Sequence, residues 1–133
     1  GEPLELFGDG ELERDFTYID DVVSAVARVA ECPATPDPAW NGEAPNAATS
    51  QSPWRIYNIG NHSPVRIRTM LSILEELCGR KALVNLKPIP AGDVPRTFAD
   101  VDDLRRDFGF APNTPLESGL AQFVNWYREW AGT

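Results

Sequence analysis

Apolar and polar positions alternate with a period of two near the start of the chain. Leu4 to Phe7 is one such run and predicts a short strand. Arg14 to Ile19 predicts a second, with Phe16 and Tyr18 on one face. The period then lengthens. A helix is expected from Asp20 or Asp21, either of which suits an N-cap, to about Ala30, with Val22, Val23, Val26 and Val29 as its buried stripe. Residues 32–53 break all periodicity. Their five prolines and many small residues predict one long loop, which Trp40 could anchor. Loops of that length inside a compact domain are usually functional or disordered.

Order returns at Arg55 to Gly60, read as a strand ending in a glycine turn, and at Pro64 to Ile67, a short extended piece. Thr69 to Cys78 has a helical apolar pattern of Met70, Ile73, Leu74, Leu77 and Cys78. Gly79 stops it, and Arg80 and Lys81 suit its negative end. Ala82 to Ile89 predicts another strand. A Gly92-Asp93-Val94-Pro95 turn follows, then a short helix marked by Val101, Leu104 and Phe108 and stopped by Gly109. The last helix opens on Thr114-Pro115-Leu116-Glu117, which has an N-cap, a proline and a capping-box acid in sequence. Its expected core face is Leu116, Leu120, Phe123, Val124 and Tyr127. No internal repeat is visible. Strands interleaved with helices make the chain α/β.

The 133 residues are enough for a single domain with a core, taken as 1–133, and a hydrophobic content of 42% is that of a globular chain. No run approaches the roughly 18 apolar residues of a membrane helix. The opening GEPLELFGDG has neither a basic start nor an initiator Met, so no signal peptide is expected and the chain reads as a piece of something longer. A net charge of −8 argues against nucleic acid and anionic membranes as partners. Two cysteines, Cys32 and Cys78, match no metal spacing and suggest a reducing, cytoplasmic setting. No disulfide is expected, and Cys78 reads as small core filling.

No catalytic set is legible. The single histidine, His62, sits in a turn and reads as structural or solvated. No glycine-rich turn opens a helix after a strand. No tyrosine has a lysine four residues on: Tyr18 is followed there by Val22, Tyr57 by Asn61 and Tyr127 by Ala131. What remains is recognition chemistry. Arg14 leaves a tight turn; it is either merely solvated or a fork able to grip a phosphate in two places. Asp93 lies in a turn flanked by prolines, and its carboxylate could accept both hydroxyls of a ribose diol.

Four segments carry a resemblance: FGDGELERDFTYIDDVVSAV, RIYNIGN, AGDVPRTFADVDDL and FGFAPNTPLESGLAQFVNWY. In that order and spacing the chain resembles the C-terminal part of the NAD-dependent nucleotide-sugar epimerases of the extended short-chain dehydrogenase/reductase family. The loop from PDPAWNGEAP into SQSPWRIYNIGN is similar to the UDP-glucuronate 4-epimerase branch in particular. The resemblance implies an α/β substrate-binding fragment. It would hold the last helix and strand of the Rossmann fold without the N-terminal dinucleotide-binding core. It implies that Arg14 contacts the UDP diphosphate and Asp93 the uridine ribose. Where galactose-type members carry a second phosphate arginine, three residues before that aspartate, this chain has Pro90; Arg96 or Arg55 is the expected substitute. The NAD, the catalytic Tyr/Lys pair and the glycine turn would belong to a missing N-terminal half, so the chain is expected to bind a UDP-sugar but to be inactive alone, with no cofactor or metal of its own. An exposed edge at the Tyr57 strand would favour a homo-oligomer or a rearranged element. A sister 4,6-dehydratase or decarboxylase, or a non-catalytic scaffold that keeps the fold, are the alternatives.

Overall fold

The computed structural model describes residues 2–132. Strand β1 (Leu4–Phe7) lies parallel to β4 (Val84–Lys87), with Leu4 opposite Val84 and Phe7 opposite Lys87. Parallel strands cannot be joined by a tight turn, so the chain between them must cross over. The crossover begins with a one-turn 3-10 helix at Gly8–Gly10, where every φ is positive. Gly8 is required there twice over. Its φ is +56°, and an added Cβ would stand 2.7 Å from Ile89.

Strand β2 (Glu13–Arg14) pairs antiparallel with β3 (Val65–Arg66). On its other side Glu13 bridges to Arg96: Glu13 N–H donates to Pro95 O at 2.9 Å, and Thr97 N–H donates to Glu13 O at 3.1 Å. Residues 13–15 therefore run between two flanking segments, one from each half of the chain. The helices are α1 (Ile19–Glu31), α2 (Ile67–Cys78), α3 (Asp102–Phe108) and α4 (Leu116–Ala131), with α2 packed on α4. Leu6, Leu12, Ala25, Val101, Leu104 and Val124 are the buried core. None of the four helices has a side-chain hydrogen bond at its N-cap. Three end on a glycine in the left-handed region, Gly79, Gly109 and Gly132.

Several expectations need correction. The strand over Arg14–Ile19 is only two residues long, because Phe16 to Tyr18 are extended without a ladder partner. Neither Asp20 nor Asp21 caps α1, whose N-cap is Tyr18; Asp21 Oδ2 instead accepts the N–H groups of Asn113 (3.2 Å) and Thr114 (2.9 Å) far along the chain. The N-cap of α4 is Pro115, not Thr114. The segment 55–60 is extended but joins no sheet. Cys78 is exposed rather than core, and both thiols are free.

The helical stripes are real but only half covered. Ala25 is the buried residue of α1, whereas Val23 and Val26 are 57% and 54% exposed beside Ile19. On α4, Gly119 and Val124 are buried, while Phe123, Trp126, Tyr127 and Trp130 stand out, Trp130 at 72% exposure. Residues 19, 23 and 26, and residues 123, 126, 127 and 130, follow helical spacing, so each helix presents a continuous apolar line outward. Helical periodicity marks the apolar face without stating what lies against it.

Side chains fix the unpaired 55–60 segment to α3. The Tyr57 hydroxyl donates to Asp107 Oδ2 at 2.8 Å, Arg55 Nη2 lies 3.2 Å from the same oxygen, and Arg106 Nε donates to Asp107 Oδ1 at 2.8 Å. The Arg106 hydrogen bond, helped by Tyr57 and the Arg55 charge and opposed by burial, holds the Asp107 carboxyl below its ordinary value. Burial, then the bond to Asp107, pushes the Tyr57 phenol up. Gly60 closes the segment with the least room of the described glycines: a Cβ there would stand 2.3 Å from Ala99 Cβ and 3.0 Å from Asp15 Oδ2.

Gly60→Ala is expected to lose about 1–3 kcal/mol in urea unfolding, through overpacking; an unshifted midpoint would mean that Ala99 does not lie this close. A carboxyl held low contributes stability above its unfolded pKa, about 3.9, and loses it as pH falls through the folded value. Asp107→Asn should therefore lower the melting temperature near pH 7, and the gap to wild type should close below about pH 4. A gap that persists into strong acid would rule out the carboxylate charge as its cause.

Candidate functional site

Position 14 is the second residue of β2, and β2 is held on both sides, so the Arg14 side chain leaves a fixed backbone. Its partner segment is equally constrained. Asp93 follows Gly92, whose φ is +88°, and Asp93 N–H donates to Pro90 O at 3.2 Å. With prolines on both sides, the turn has few alternatives.

The structure brings these two predicted residues together. Arg14 Nη2 donates to Asp93 Oδ1 at 2.6 Å, and Nη1 donates to Val94 O at 3.0 Å and to Glu13 O at 2.8 Å. Asp93 Oδ1 also accepts the Val94 N–H at 2.9 Å. Both side chains keep an open side, at 23% and 33% exposure. A guanidinium has five N–H donors. Among the described residues, Nε–H and one Nη2 hydrogen of Arg14 have no partner in these bonds. The pair is thus an ion pair at the protein rim, with donor and acceptor capacity remaining on adjacent atoms.

The two candidate substitutes for the missing arginine are bonded to other carboxylates than Asp93. Arg96 Nε is 3.2 Å from Glu13 Oε2, and its guanidinium lies 5.3 Å over the Phe98 ring. Arg55 is committed to Asp103 and Asp107 at 3.8 and 3.2 Å. His62 has φ +54°, places Nδ1 3.0 Å from Ala99 O, and lies against Phe98 with ring centroids 4.2 Å apart and the planes tilted by 46°. Its contacts are those of a turn residue.

Sequence reasoning missed Asp15. Its Oδ2 accepts Ala99 N–H at 3.0 Å and His62 N–H at 3.2 Å, and its Oδ1 accepts Ser63 N–H at 3.1 Å. Asp15 N–H donates to Thr97 Oγ1 at 3.0 Å. Only its place directly after Arg14 could have drawn attention to it, because bonds to such distant segments leave no periodic mark.

A groove of about 260 Å³ lies between Phe16, Tyr18, Ile19, Leu116, Leu120 and Phe123, and it does not include the Arg14–Asp93 pair. Its lining is apolar and merges with the exposed line of α4, so it belongs to that uncovered face rather than to the polar site. Among the described residues no group of three or more His, Cys, Asp or Glu side chains could hold a metal ion, and no helix is long and apolar enough to cross a membrane.

Residues 1–60 match the NAD dependent epimerase/dehydratase family. Protein CapI of Staphylococcus aureus is 42% identical over 127 residues, which cover 96% of this chain and 38% of the relative. A probable UDP-glucuronate 4-epimerase of Rhizobium meliloti (strain 1021) is 40% identical over 131 residues, again 96% of this chain and 38% of the relative. Among solved structures, MoeE5 in complex with UDP-glucuronic acid and NAD superposes with a TM-score of 0.75 at 31% identity, over 97% of this chain and 38% of that one. The chain spans well under half the length of the proteins it matches. In sequence and in fold the chain is similar to a part of the NAD-dependent nucleotide-sugar epimerases, the UDP-glucuronate 4-epimerases among them.

Proposed function

We propose that this chain holds the nucleotide end of a UDP-sugar within a longer enzyme that interconverts UDP-glucuronate and UDP-galacturonate at C4. The observation that carries the reading is the Arg14–Asp93 pair, 2.6 Å apart on two braced segments. Arg14 would turn its remaining N–H donors to the diphosphate, where charge-assisted bonds are strongest. Asp93 would accept from the ribose hydroxyls with the oxygen that Arg14 leaves free. Arg96, one strand register from Arg14, would add long-range positive charge rather than a direct clamp while Glu13 holds it.

In the longer enzyme NAD would take and return the hydride at C4, as cofactors supply such chemistry while the protein orients it. The residues of this chain do not fit the dinucleotide. Its glycine turn at Gly8–Gly10 leads into the two-residue strand β2, and the turn at Gly92 into an extended segment, so neither sets a phosphate at the start of a helix. The contribution assigned to this chain is therefore binding and orientation of the substrate. The outward apolar lines of α1 and α4 are the faces we assign to contact with the rest of that enzyme, since single-domain surfaces rarely leave so much contiguous apolar area in water.

Calorimetric titration with UDP at low salt is expected to show binding by the wild-type chain, weakened about tenfold or more by Arg14→Ala. Equal affinity in the two proteins would remove Arg14 from the site. Supplied with UDP-glucuronate and NAD, the chain alone is expected to leave the sugar unchanged; UDP-galacturonate in the product mixture would refute the division of labour.

A further inference from the structure

Arg14 and Asp15 are adjacent, yet they hold different parts of the chain. Arg14 reaches the 93–94 turn, whereas Asp15 reaches the other end of the same three-stranded patch. There the flanking segments would otherwise diverge, because residues 62–63 belong to a turn with His62 in the left-handed region and residues 97–99 are leaving the bridge at Arg96. The Asp15 carboxylate takes N–H donors from both segments at once, and its own N–H closes a fourth bond to Thr97. Gly60 admits this approach, since any Cβ there would press on Asp15 Oδ2 and Ala99.

We propose that Asp15 is the positioning residue of the nucleotide site. It sets where the 93–97 segment lies relative to Arg14, and so keeps Asp93 within reach of the guanidinium without touching ligand itself. The inference rests on the reading of Arg14 and Asp93 as a nucleotide-binding pair. The geometry gives Asp15 this role over its neighbours, because it is the residue whose side chain joins both flanks of β2. Loss of the carboxylate would leave three backbone donors short of an acceptor and untie the 62–63 and 97–99 ends of the two flanks from each other, with only the backbone bonds at residues 13–14 left to hold the flanks to β2. A misplacement of about 1 Å is enough to cost a site up to about a hundredfold.

Asp21 provides the control. It also accepts two backbone N–H groups from a distant segment, but at residues 113–114, away from Arg14. Wild type, Asp15→Asn and Asp21→Asn are compared in three ways: melting temperature, UDP affinity, and the resonances of the Arg14 side chain and the Val94 amide without ligand. Both variants are expected to melt lower than wild type. Asp15→Asn alone should move the Arg14 and Val94 resonances and weaken UDP binding by about tenfold or more. If Asp15→Asn does not fold, Thr97→Val, which removes only the acceptor of the Asp15 N–H, carries the same comparison with smaller shifts. Arg14 and Val94 resonances that stay at their wild-type positions would overturn the proposal, as would an Asp21→Asn variant that moves them equally. Should wild type bind no UDP, the nucleotide reading fails by itself, and the ligand-free resonances still decide whether Asp15 positions the pair.

Discussion

One carboxylate accepting three backbone N–H groups holds the centre of this molecule. The segments around Asp15 come from residues 13–15, 60–66 and 93–99, and no stretch of regular sheet is long enough to hold them by itself. Ladders of two residues contribute little without side-chain support. Backbone donors in a crowded turn must still find acceptors, and a charged oxygen is the strongest one at hand. His62, with its positive φ, and the close approach of Gly60 to Ala99 lie around that oxygen pair, while Glu13 backbone bonds bring the 93–97 segment to β2 beside it.

The Arg14–Asp93 pair sits at the far end of the same patch. An exposed ion pair adds little to stability in itself, since solvent screens it. Its physical interest lies in what it leaves unfilled: a guanidinium whose charge is balanced but whose donors are not all used, beside a carboxylate of the same kind. Such a pair can take an anion on its unused donors and a diol on its unused oxygen without breaking the bond between the two side chains.

Helices α2, α3 and α4 and strands β1 and β4 were legible because local period and glycine stops define them, although α2 begins at Ile67 rather than Thr69 and β4 is Val84–Lys87 rather than Ala82–Ile89. Arg14 and Asp93 were named from residue chemistry and family resemblance, and the structure brings them into contact. What escaped reading was whatever depends on partners far along the chain. Asp21 looks like a cap and serves residues 113–114. Arg55 to Gly60 has the composition of a strand, yet pairing is a property of two segments, and among the described residues no strand pairs with it. Val23, Val26, Phe123 and Tyr127 have the spacing of a core and stand in solvent, because apolar periodicity reports a preference for burial and not its fulfilment.

The helix ends differ from the helix starts. Where α2, α3 and α4 stop, a single glycine dihedral does the work, and the space around Gly79, Gly109 and Gly132 is empty. Where the four helices begin, no N-cap side chain closes the free N–H groups, and at α3 it is Asp100 Oδ1 that accepts the Asp102 N–H, at 3.0 Å. The ends are thus decided by local chain geometry, before any tertiary contact exists, whereas the starts are decided by the folded surroundings. For α2, α3 and α4 the downstream boundary is therefore written into the chain itself and the upstream one is not, so fraying of these three helices is expected to begin at the first turn.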